Sequence, residues 1–347
     1  MLIKYYNIYD ILNFALSFER KPILPGLDFP FSYFETYKKF EEPNIMLRIG
    51  KFSPSHNTGI LVDHKYLIDK NYIYCIDDKW KIEIDGFESR KKIINFYGIS
   101  PGIYGILAPN LLSQNQALLP MLEISLGLEG FFLAHGCGIS DGDNAWIFLG
   151  RGGSLKTSIV MTSSKMNYKI LGDDRILINT KNSTALSFPL FPRLTQRTIR
   201  NRDDEKLTLW DKAVFLPYLL YEYDERKDIW ERGEIPVRAI INLETVECRM
   251  NDIEIHCSNS EKSIFKLINN NKAEMWGSFI RSQRVNKFPI YLNAYSHIFP
   301  NSIISNYWDM MYNKLNRLKV RVIDAKIPRN CNNKMIENFI TKVRNII

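Results

Sequence analysis

Several features of specialised protein classes are missing from this sequence. Its five cysteines are odd in number and none stand in CxxC spacing, which argues against a disulfide framework or a zinc site. A reducing, cytoplasmic location is therefore expected. The net charge is +8, yet the basic residues never form a long block, so we expect no nucleic-acid partner.

Long hydrophobic runs are also absent. The most apolar stretch, residues 117–139, is interrupted by Pro120, Glu123, Glu129 and His135. It therefore falls short of the roughly 20 apolar residues that a membrane-spanning helix needs. The first residues show no basic-then-apolar leader, so we expect neither a secretory signal nor a membrane partner.

Apolar residues are nevertheless plentiful enough to build a substantial core. They make up 45% of the 347 residues, and aromatic residues make up 13%, which excludes a largely disordered chain. Residues 1–95 read as a β-rich region. Within it, segments 45–49, 72–76 and 80–84 are short apolar runs flanked by turn residues, which predicts a small antiparallel sheet.

The rest of the chain predicts an α/β arrangement. Residues 96–130 carry leucine and isoleucine at helical spacing, and we expect one or two connecting helices broken near Pro120. Residues 131–347 are expected to form one domain that ends in helical elements. The segments expected there are strands at 168–171, 175–178, 237–243 and 318–323, and helices at 210–223 and 334–346.

A glycine-rich segment in this domain carries the clearest chemical signal. Residues 150–157 read Gly-Arg-Gly-Gly-Ser-Leu-Lys-Thr and follow an apolar strand. They nearly fit the P-loop template G-x-x-x-x-G-K-[ST], in which backbone N–H groups and a helix N-terminus bind phosphate. Gly150, Lys156 and Thr157 match, whereas Leu155 stands where the template has its second glycine. A glycine-rich turn with a solvated lysine is the alternative that the motif alone leaves open.

The P-loop interpretation predicts ATP, or another nucleoside triphosphate, and Mg²⁺ as ligands, because the lysine neutralises phosphate charge and the hydroxyl binds the metal. The residues expected to contact the nucleotide are Gly150, Arg151, Gly152, Gly153, Ser154, Leu155, Lys156, Thr157 and Ser158. A side chain at position 155 is expected to crowd the phosphates or strain the backbone. Leu155→Gly is expected to cost about 1 kcal/mol of stability through the unfolded chain.

The surroundings of the loop resemble those of a known family. His135-Gly136 comes before the strand, and Gly172-Asp173-Asp174 follows the loop. This order is similar to that of the HPr serine kinases and the wider HPr-kinase-related ATPases, over residues 135–178. The resemblance implies an α/β fold with a P-loop core like that of HPr kinase and phosphoenolpyruvate carboxykinase. It also implies a mixed or mostly antiparallel central sheet and an N-terminal β-rich extension.

The resemblance further implies roles for the residues around the loop. Asp173 would act as the base toward an acceptor hydroxyl, and Lys156 would stabilise charge on the transferred phosphate. Asp174 and Thr157 would support Mg²⁺. His135 would pair with an aspartate or contact the transferred phosphate.

Each candidate also has a structural interpretation. Asp173-Asp174 after a glycine is a common turn composition. His135 can be a buried, hydrogen-bonded core residue, and Cys137 is read as a small core residue rather than a nucleophile. Arg193 is either a phosphate contact or a solvated loop residue.

Two functions remain open from the sequence. The first is a kinase that transfers the γ-phosphate to a hydroxyl of a protein, peptide or small molecule. The second is a catalytically weak nucleotide-binding regulator or pseudokinase, which Leu155 favours; a carboxykinase-like enzyme ranks below both. Ser158 replaces the glutamate of HPr kinases and their Glu-Ile-Arg-Gly signature is absent, so HPr itself is not implied as the substrate. A homo-oligomer is also left open.

Overall fold

The structure is a computed structural model that describes residues 2–19, 29–77, 80–98, 117–151, 153–189, 229–257, 260–277 and 288–346. The chain divides into two units, Met1–Glu129 with Lys272–Met311, and Gly130–Asn271 with Tyr312–Ile347. The sequence-based division kept 131–347 together, whereas the structure groups 272–311 with the first unit. There Tyr295 packs on Phe87, with ring centroids 4.8 Å apart, and its hydroxyl accepts a hydrogen bond from Asn71 N.

The first unit is built on one large sheet. Its strands are β1 (Leu2–Ile8), β2 (Leu12–Phe18), β3 (Glu35–Thr36), β4 (Ile45–Ile49), β5 (Ile60–Val62), β6 (Tyr66–Asp69), β7 (Tyr72–Asp77), β8 (Trp80–Asp85) and β9 (Lys92–Gly98). They form a nine-stranded sheet in the order β3-β1-β2-β4-β9-β8-β7-β6-β5. β7 and β8 are antiparallel as expected, but β4 lies parallel to both β2 and β9. The sheet is therefore larger and more mixed than the predicted one.

A buried carboxylate ties this sheet to the segment before β5. Glu83 Oε1 accepts hydrogen bonds from Ser55 N at 2.6 Å, Ser55 Oγ at 2.8 Å and Tyr72 Oη at 2.8 Å. Asn95 Nδ2 donates to Oε2 at 2.6 Å. Burial alone would raise the pKa of Glu83, but these donors outweigh burial and lower the pKa.

The second unit contains a second mixed sheet. Its strands are β10 (Phe131–Ser140), β11 (Ala145–Leu149), β12 (Lys169–Gly172), β13 (Arg175–Asn179), β14 (Thr184–Ser187), β15 (Ile235–Val246), β16 (Glu254–Cys257) and β17 (Arg321–Pro328). β15 lies parallel to both β11 and β17, and the other pairings are antiparallel. The predicted late strand is present but begins at Arg321 rather than residue 318.

β10 takes part in two different regions of this sheet. Its first half, as far as His135, pairs with β13. From Gly136 onward it pairs with β11 on one edge, and from Gly138 with β12 on the other. Because β14 and β15 connect β13 back to β11, the pairings close into a circuit of β11, β10, β13, β14 and β15.

The helices complete a mixed α/β fold, as expected. Those in the described ranges are α1 (Leu119–Leu128), α2 (Lys156–Lys165), α3 (Ser260–Gly277), α4 (Phe288–Ile298), α5 (Tyr307–Leu315) and α6 (Asn333–Ile346). α1 begins at Leu119, so the helix boundary expected near Pro120 is present, and a proline in the first turn removes no intrahelical hydrogen bond. None of these helices combines the length and hydropathy that crossing a membrane requires. Arg193 and the predicted helix 210–223 lie outside the described residues.

The Glu83 network generates a stability prediction. We expect Glu83→Gln to lower the free energy of unfolding by about 2–3 kcal/mol at neutral pH, because an amide cannot accept from all the donors that surround the carboxylate. Because the folded-state pKa is lowered, this stabilisation exists above the unfolded-state pKa and is lost as pH falls through the folded-state value. Urea denaturation at several pH values should therefore show the difference shrinking in acid.

Glu42→Gln is the matched control for this experiment. The Glu42 carboxylate forms an exposed ion pair with Lys91, and exposed pairs contribute little to stability. If Glu83→Gln were as stable as the control at neutral pH, the network would not be what secures the segment around Ser55.

Candidate functional site

The glycine-rich loop lies at the carboxyl end of β11 and directly precedes α2. β11 is parallel to β15, with Leu149 paired to Asn242, so the loop leaves β11 beside Asn242 while β15 continues to Val246. In open α/β sheets, ligands bind in crevices outside the carboxyl ends of the strands. The strand, loop and helix that a P-loop requires therefore follow one another here.

Close packing and backbone conformation require glycine at two positions of the loop. A Cβ at Gly150 would overlap Ser154 Oγ and come within 3.1 Å of Leu243 O. Gly153 has a φ of 92°, a conformation that side chains disfavour. Gly152 lies outside the described residues. Gly150 is therefore fixed by close packing, and Gly153 by backbone conformation.

Leu155 has a backbone conformation that favours glycine. Its φ is 62° and its ψ is 13°, in the left-handed region, immediately before the first residue of α2. A residue with a Cβ pays roughly 1–2 kcal/mol for this conformation. The backbone strain expected at position 155 is therefore present, and its relief by glycine would offset the stability cost expected for Leu155→Gly.

The P-loop lysine is buried and held by its own loop. Lys156 is 8% exposed, and its Nζ donates hydrogen bonds to Gly150 O and, at 3.1 Å, to Arg151 O. This excludes the solvated-lysine alternative. Ser154 and Thr157 are also buried, whereas Arg151 is exposed and Ser158 is half-buried.

Electrostatics at this end of α2 favour an anion. N–H groups in the first turn of a helix lie outside its internal hydrogen-bond ladder, and the helix dipole makes this end positive. Lys156 adds a full charge at the same point, and α2 carries no acidic residue in its first turn. The start of α2 therefore combines features that favour binding of an anion.

Asp173 and Asp174 form a bend between β12 and β13. β12 and β13 both pair with β10, and the register that matches His135 with Arg175 also matches Gly138 with Gly172. Gly136 N donates to Asp174 O at 3.2 Å. A Cβ at Gly172 would lie 1.9 Å from Arg175 O, so the chain is tightly bent here. The segment is therefore bent, as the turn interpretation expected, but its aspartates are half-buried and not exposed.

His135 is buried and its protonation is set by a neighbouring arginine. Arg175 Nη1 lies within hydrogen-bonding distance of His135 Nδ1, and a guanidinium can only donate. His135 Nδ1 must therefore accept, which leaves a neutral ring with its proton on Nε2. The Nδ1 atom is also 3.6 Å from Asp174 Oδ1, but a neutral ring makes this no ion pair. Asp174 instead faces Arg175, with Oδ2 and Nη1 3.6 Å apart.

The pKa of the Cys137 thiol depends on charges from both the loop and the acid pair. Burial raises the pKa of its thiol well above the ordinary value, the negative charge of Asp173 raises the pKa further, and the Lys156 ammonium opposes both. Charges from both segments thus act on one buried side chain. Cys137 itself is a buried protonated thiol, consistent with the predicted core role.

Two asparagines on α3, which the sequence analysis missed, join His135 to the loop. Asn271 Nδ2 donates to Leu133 O at 2.7 Å, and Asn271 Oδ1 accepts from His135 N at 2.9 Å. Asn270 Nδ2 donates to His135 O at 3.3 Å and to Gly150 O at 3.4 Å. No local pattern marks these asparagines, because their partners lie more than a hundred residues earlier in the chain.

A second missed group lies within β15 and β17, where Asn242 and Asp324 are paired. Asn242 Nδ2 donates to Asp324 Oδ1 at 3.0 Å, and Asp324 Oδ2 is 3.5 Å from Lys266 Nζ. Lys266 also pairs with Glu244. This chain of polar groups links α3 to the strands beside the loop.

The expected Mg²⁺ ligands are the side chains of Thr157 and Asp174. In the described ranges, no three His, Cys, Asp or Glu side chains cluster as a metal-binding group. Mg²⁺ commonly keeps several waters and uses one or two protein ligands together with substrate phosphates. The Thr157 hydroxyl and the Asp174 carboxylate are donors of the type that Mg²⁺ prefers, and the Asp174 carboxylate is shared with Arg175. These donors fit a metal brought by a nucleotide better than a metal held by protein alone.

Comparison with known proteins adds no family to these observations: no protein-family model matches the sequence, and no curated protein matches it. The function proposed below therefore rests on the residues of the site and on the resemblance of their order to that of HPr-kinase-related ATPases.

The conformation of Leu155 generates the next prediction. We expect Leu155→Gly to be more stable than Leu155→Ala by about 1 kcal/mol, because both remove the side chain but only glycine relieves the left-handed strain. Thermal or urea denaturation of the two variants measures the difference. If Leu155→Ala were the more stable variant, position 155 would not have a positive φ in solution.

Proposed function

We propose that this chain binds a nucleoside triphosphate with Mg²⁺ at residues 150–157 and transfers its γ-phosphate to a hydroxyl group. The observation that carries the proposal is geometric: Gly136 of β10 pairs with Leu149, which ends β11 just before the loop, and Gly136 N donates to Asp174 O. The loop that contains Lys156 and the segment that contains Asp173 therefore flank the same part of β10. The resemblance of the ordered motifs to HPr-kinase-related ATPases supports the same chemistry.

The loop would supply binding and charge stabilisation. A bound triphosphate would draw the Lys156 ammonium from the carbonyls of Gly150 and Arg151 to its β- and γ-phosphates. The Thr157 hydroxyl would hold Mg²⁺, which neutralises charge that develops on the leaving phosphate oxygens. Backbone N–H groups at the start of α2 would bind the remaining phosphate oxygens.

Asp173, Asp174 and His135 would supply the acid–base chemistry. Asp173 would accept the proton of the acceptor hydroxyl as its oxygen bonds to the γ-phosphorus, while the bond from phosphorus to the bridging oxygen breaks and the nucleoside diphosphate leaves. His135, neutral with its proton on Nε2, would donate a hydrogen bond toward the transferred phosphate. Asp174 would reach Mg²⁺ through a water, since its carboxylate also faces Arg175.

The acceptor is proposed only by class, as a hydroxyl on a protein, peptide or small molecule. The resemblance does not extend to HPr as acceptor, because Ser158 replaces the family's glutamate and the Glu-Ile-Arg-Gly signature is absent. A positive net charge of +8 favours an anionic substrate in general.

A second candidate is a regulator in which nucleotide binding controls conformation without efficient transfer. It is favoured by the lysine that is satisfied within its own loop and by the strain at Leu155. Leu155→Gly separates the two. A kinase adapted to leucine should gain little ATP affinity or lose some, whereas a degenerate relative should bind ATP more tightly and acquire slow hydrolysis.

The first test concerns the lysine. We expect Lys156→Ala to raise the Kd for Mg·ATP roughly 10- to 100-fold, because a charge-assisted contact contributes about 1.5–3 kcal/mol. Titration calorimetry measures the affinity, and circular dichroism confirms that the variant is folded. Lys165→Ala, at the exposed end of the same helix, is the control. Wild-type affinity in a folded Lys156→Ala protein would rule out the P-loop assignment.

The second test separates the two aspartates. We expect Asp173→Asn to abolish phosphoryl transfer and leave ATP affinity largely unchanged, because a base acts on the acceptor and not on the triphosphate. Asp174→Asn should instead weaken the dependence of binding on Mg²⁺. γ-Phosphate turnover and calorimetry with and without Mg²⁺ provide the readouts. Full activity in both variants would mean that the pair has only a structural role.

A further inference from the structure

We propose that Asn270 is a positioning residue that fixes the Gly150 carbonyl, the first of the P-loop, relative to the backbone of His135. This inference rests on the proposed function, since it names the residue that keeps the loop ready for a nucleotide. Within the part of the chain that the structure describes, Asn270 bonds only to backbone atoms of the site, so its role is to act through the loop and not on substrate.

The need for such a residue arises where two strands part. β11 pairs with β10 only from Gly136 onward, so among the described residues no strand pairs with the earlier part of β10 on the β11 side. Buried backbone N–H and C=O groups that have no strand partner need other hydrogen-bond partners. Asn271 meets this need for Leu133 and His135, and Asn270 spans the gap from His135 O to Gly150 O.

The two accepting carbonyls also fix how the Asn270 amide is oriented. Both partners are acceptors, so the amide nitrogen must face them and Oδ1 must face away. Oδ1 is buried and has no hydrogen-bond partner among the described residues. A buried amide oxygen without a partner destabilises the fold. The hydrogen bonds from Asn270 Nδ2 to His135 O and Gly150 O explain why an amide side chain lies here.

Gly150 O is the point at which Asn270 and the lysine meet. It accepts from both Lys156 Nζ and Asn270 Nδ2. When a phosphate draws the ammonium away, a lone carbonyl would lose its partner, and burying an unsatisfied carbonyl is costly. Because Asn270 continues to donate, it lowers the free energy needed to release the lysine and keeps the turn at Gly150 in place.

The experiment compares three neighbouring asparagines of α3. Asn270→Ala should raise the Kd for Mg·ATP about tenfold, the equivalent of one lost hydrogen bond of about 1.4 kcal/mol, and should speed hydrogen exchange of the amides of residues 150–157 in nucleotide-free protein. Alanine suits a helix, so the variant should fold. Asn269→Ala, which changes an exposed neighbour, should alter neither readout. Asn271→Ala should lower the melting temperature more than Asn270→Ala and the ATP affinity less.

Asn270→Asp separates donation from shape, because it keeps the size of the side chain and removes the donor. We expect it to bind Mg·ATP no better than Asn270→Ala. Wild-type affinity in either variant at position 270, with or without faster exchange, would overturn the inference while leaving nucleotide binding intact. Failure of the wild-type protein itself to bind Mg·ATP would instead overturn the proposed function, and this inference with it.

Discussion

The second unit is organised by the need to satisfy the backbone of β10 after β11 leaves it. β10 continues toward Phe131 paired with β13, while β11 ends beside Gly136 and turns into the loop. The amides of Asn270 and Asn271 replace the missing strand, and no water or ligand is needed to complete these bonds. His135 and Gly150 are thereby held next to each other, and the candidate site depends on this junction.

Charge is distributed across that junction in an asymmetric way. The loop contributes Lys156 and the positive end of α2, and the bend between β12 and β13 contributes Asp173 and Asp174. The negative charge of Asp173 and the positive charge of Lys156 both act on the pKa of the buried Cys137 thiol. The positive φ of Leu155 strains the loop, and Lys156 is held by carbonyl groups of the same loop.

Periodicity and motif spacing predicted much of this fold, but side-chain partners escaped them. The runs before and after the loop were recognisable because strands and P-loops have local patterns, and β12, β13 and β15 lie where they were expected. Composition suggested a turn at Asp173-Asp174, and the segment is bent there, but its half-buried position beside β10 is revealed only by the tertiary structure. Leu155 was expected to crowd the phosphates or strain the backbone, and its positive φ agrees with backbone strain. No sequence pattern marks Asn270, because the position of α3 in the fold decides which carbonyl groups it contacts.

The most direct test of the central claim is a calorimetric titration of the wild-type chain with ATP in the presence and absence of Mg²⁺. We expect saturable binding at one site, tighter with the metal, because Lys156, Thr157 and the start of α2 together favour a metal-bound triphosphate. No detectable binding at millimolar ATP under either condition would contradict the assignment of residues 150–157 as a nucleotide-binding loop.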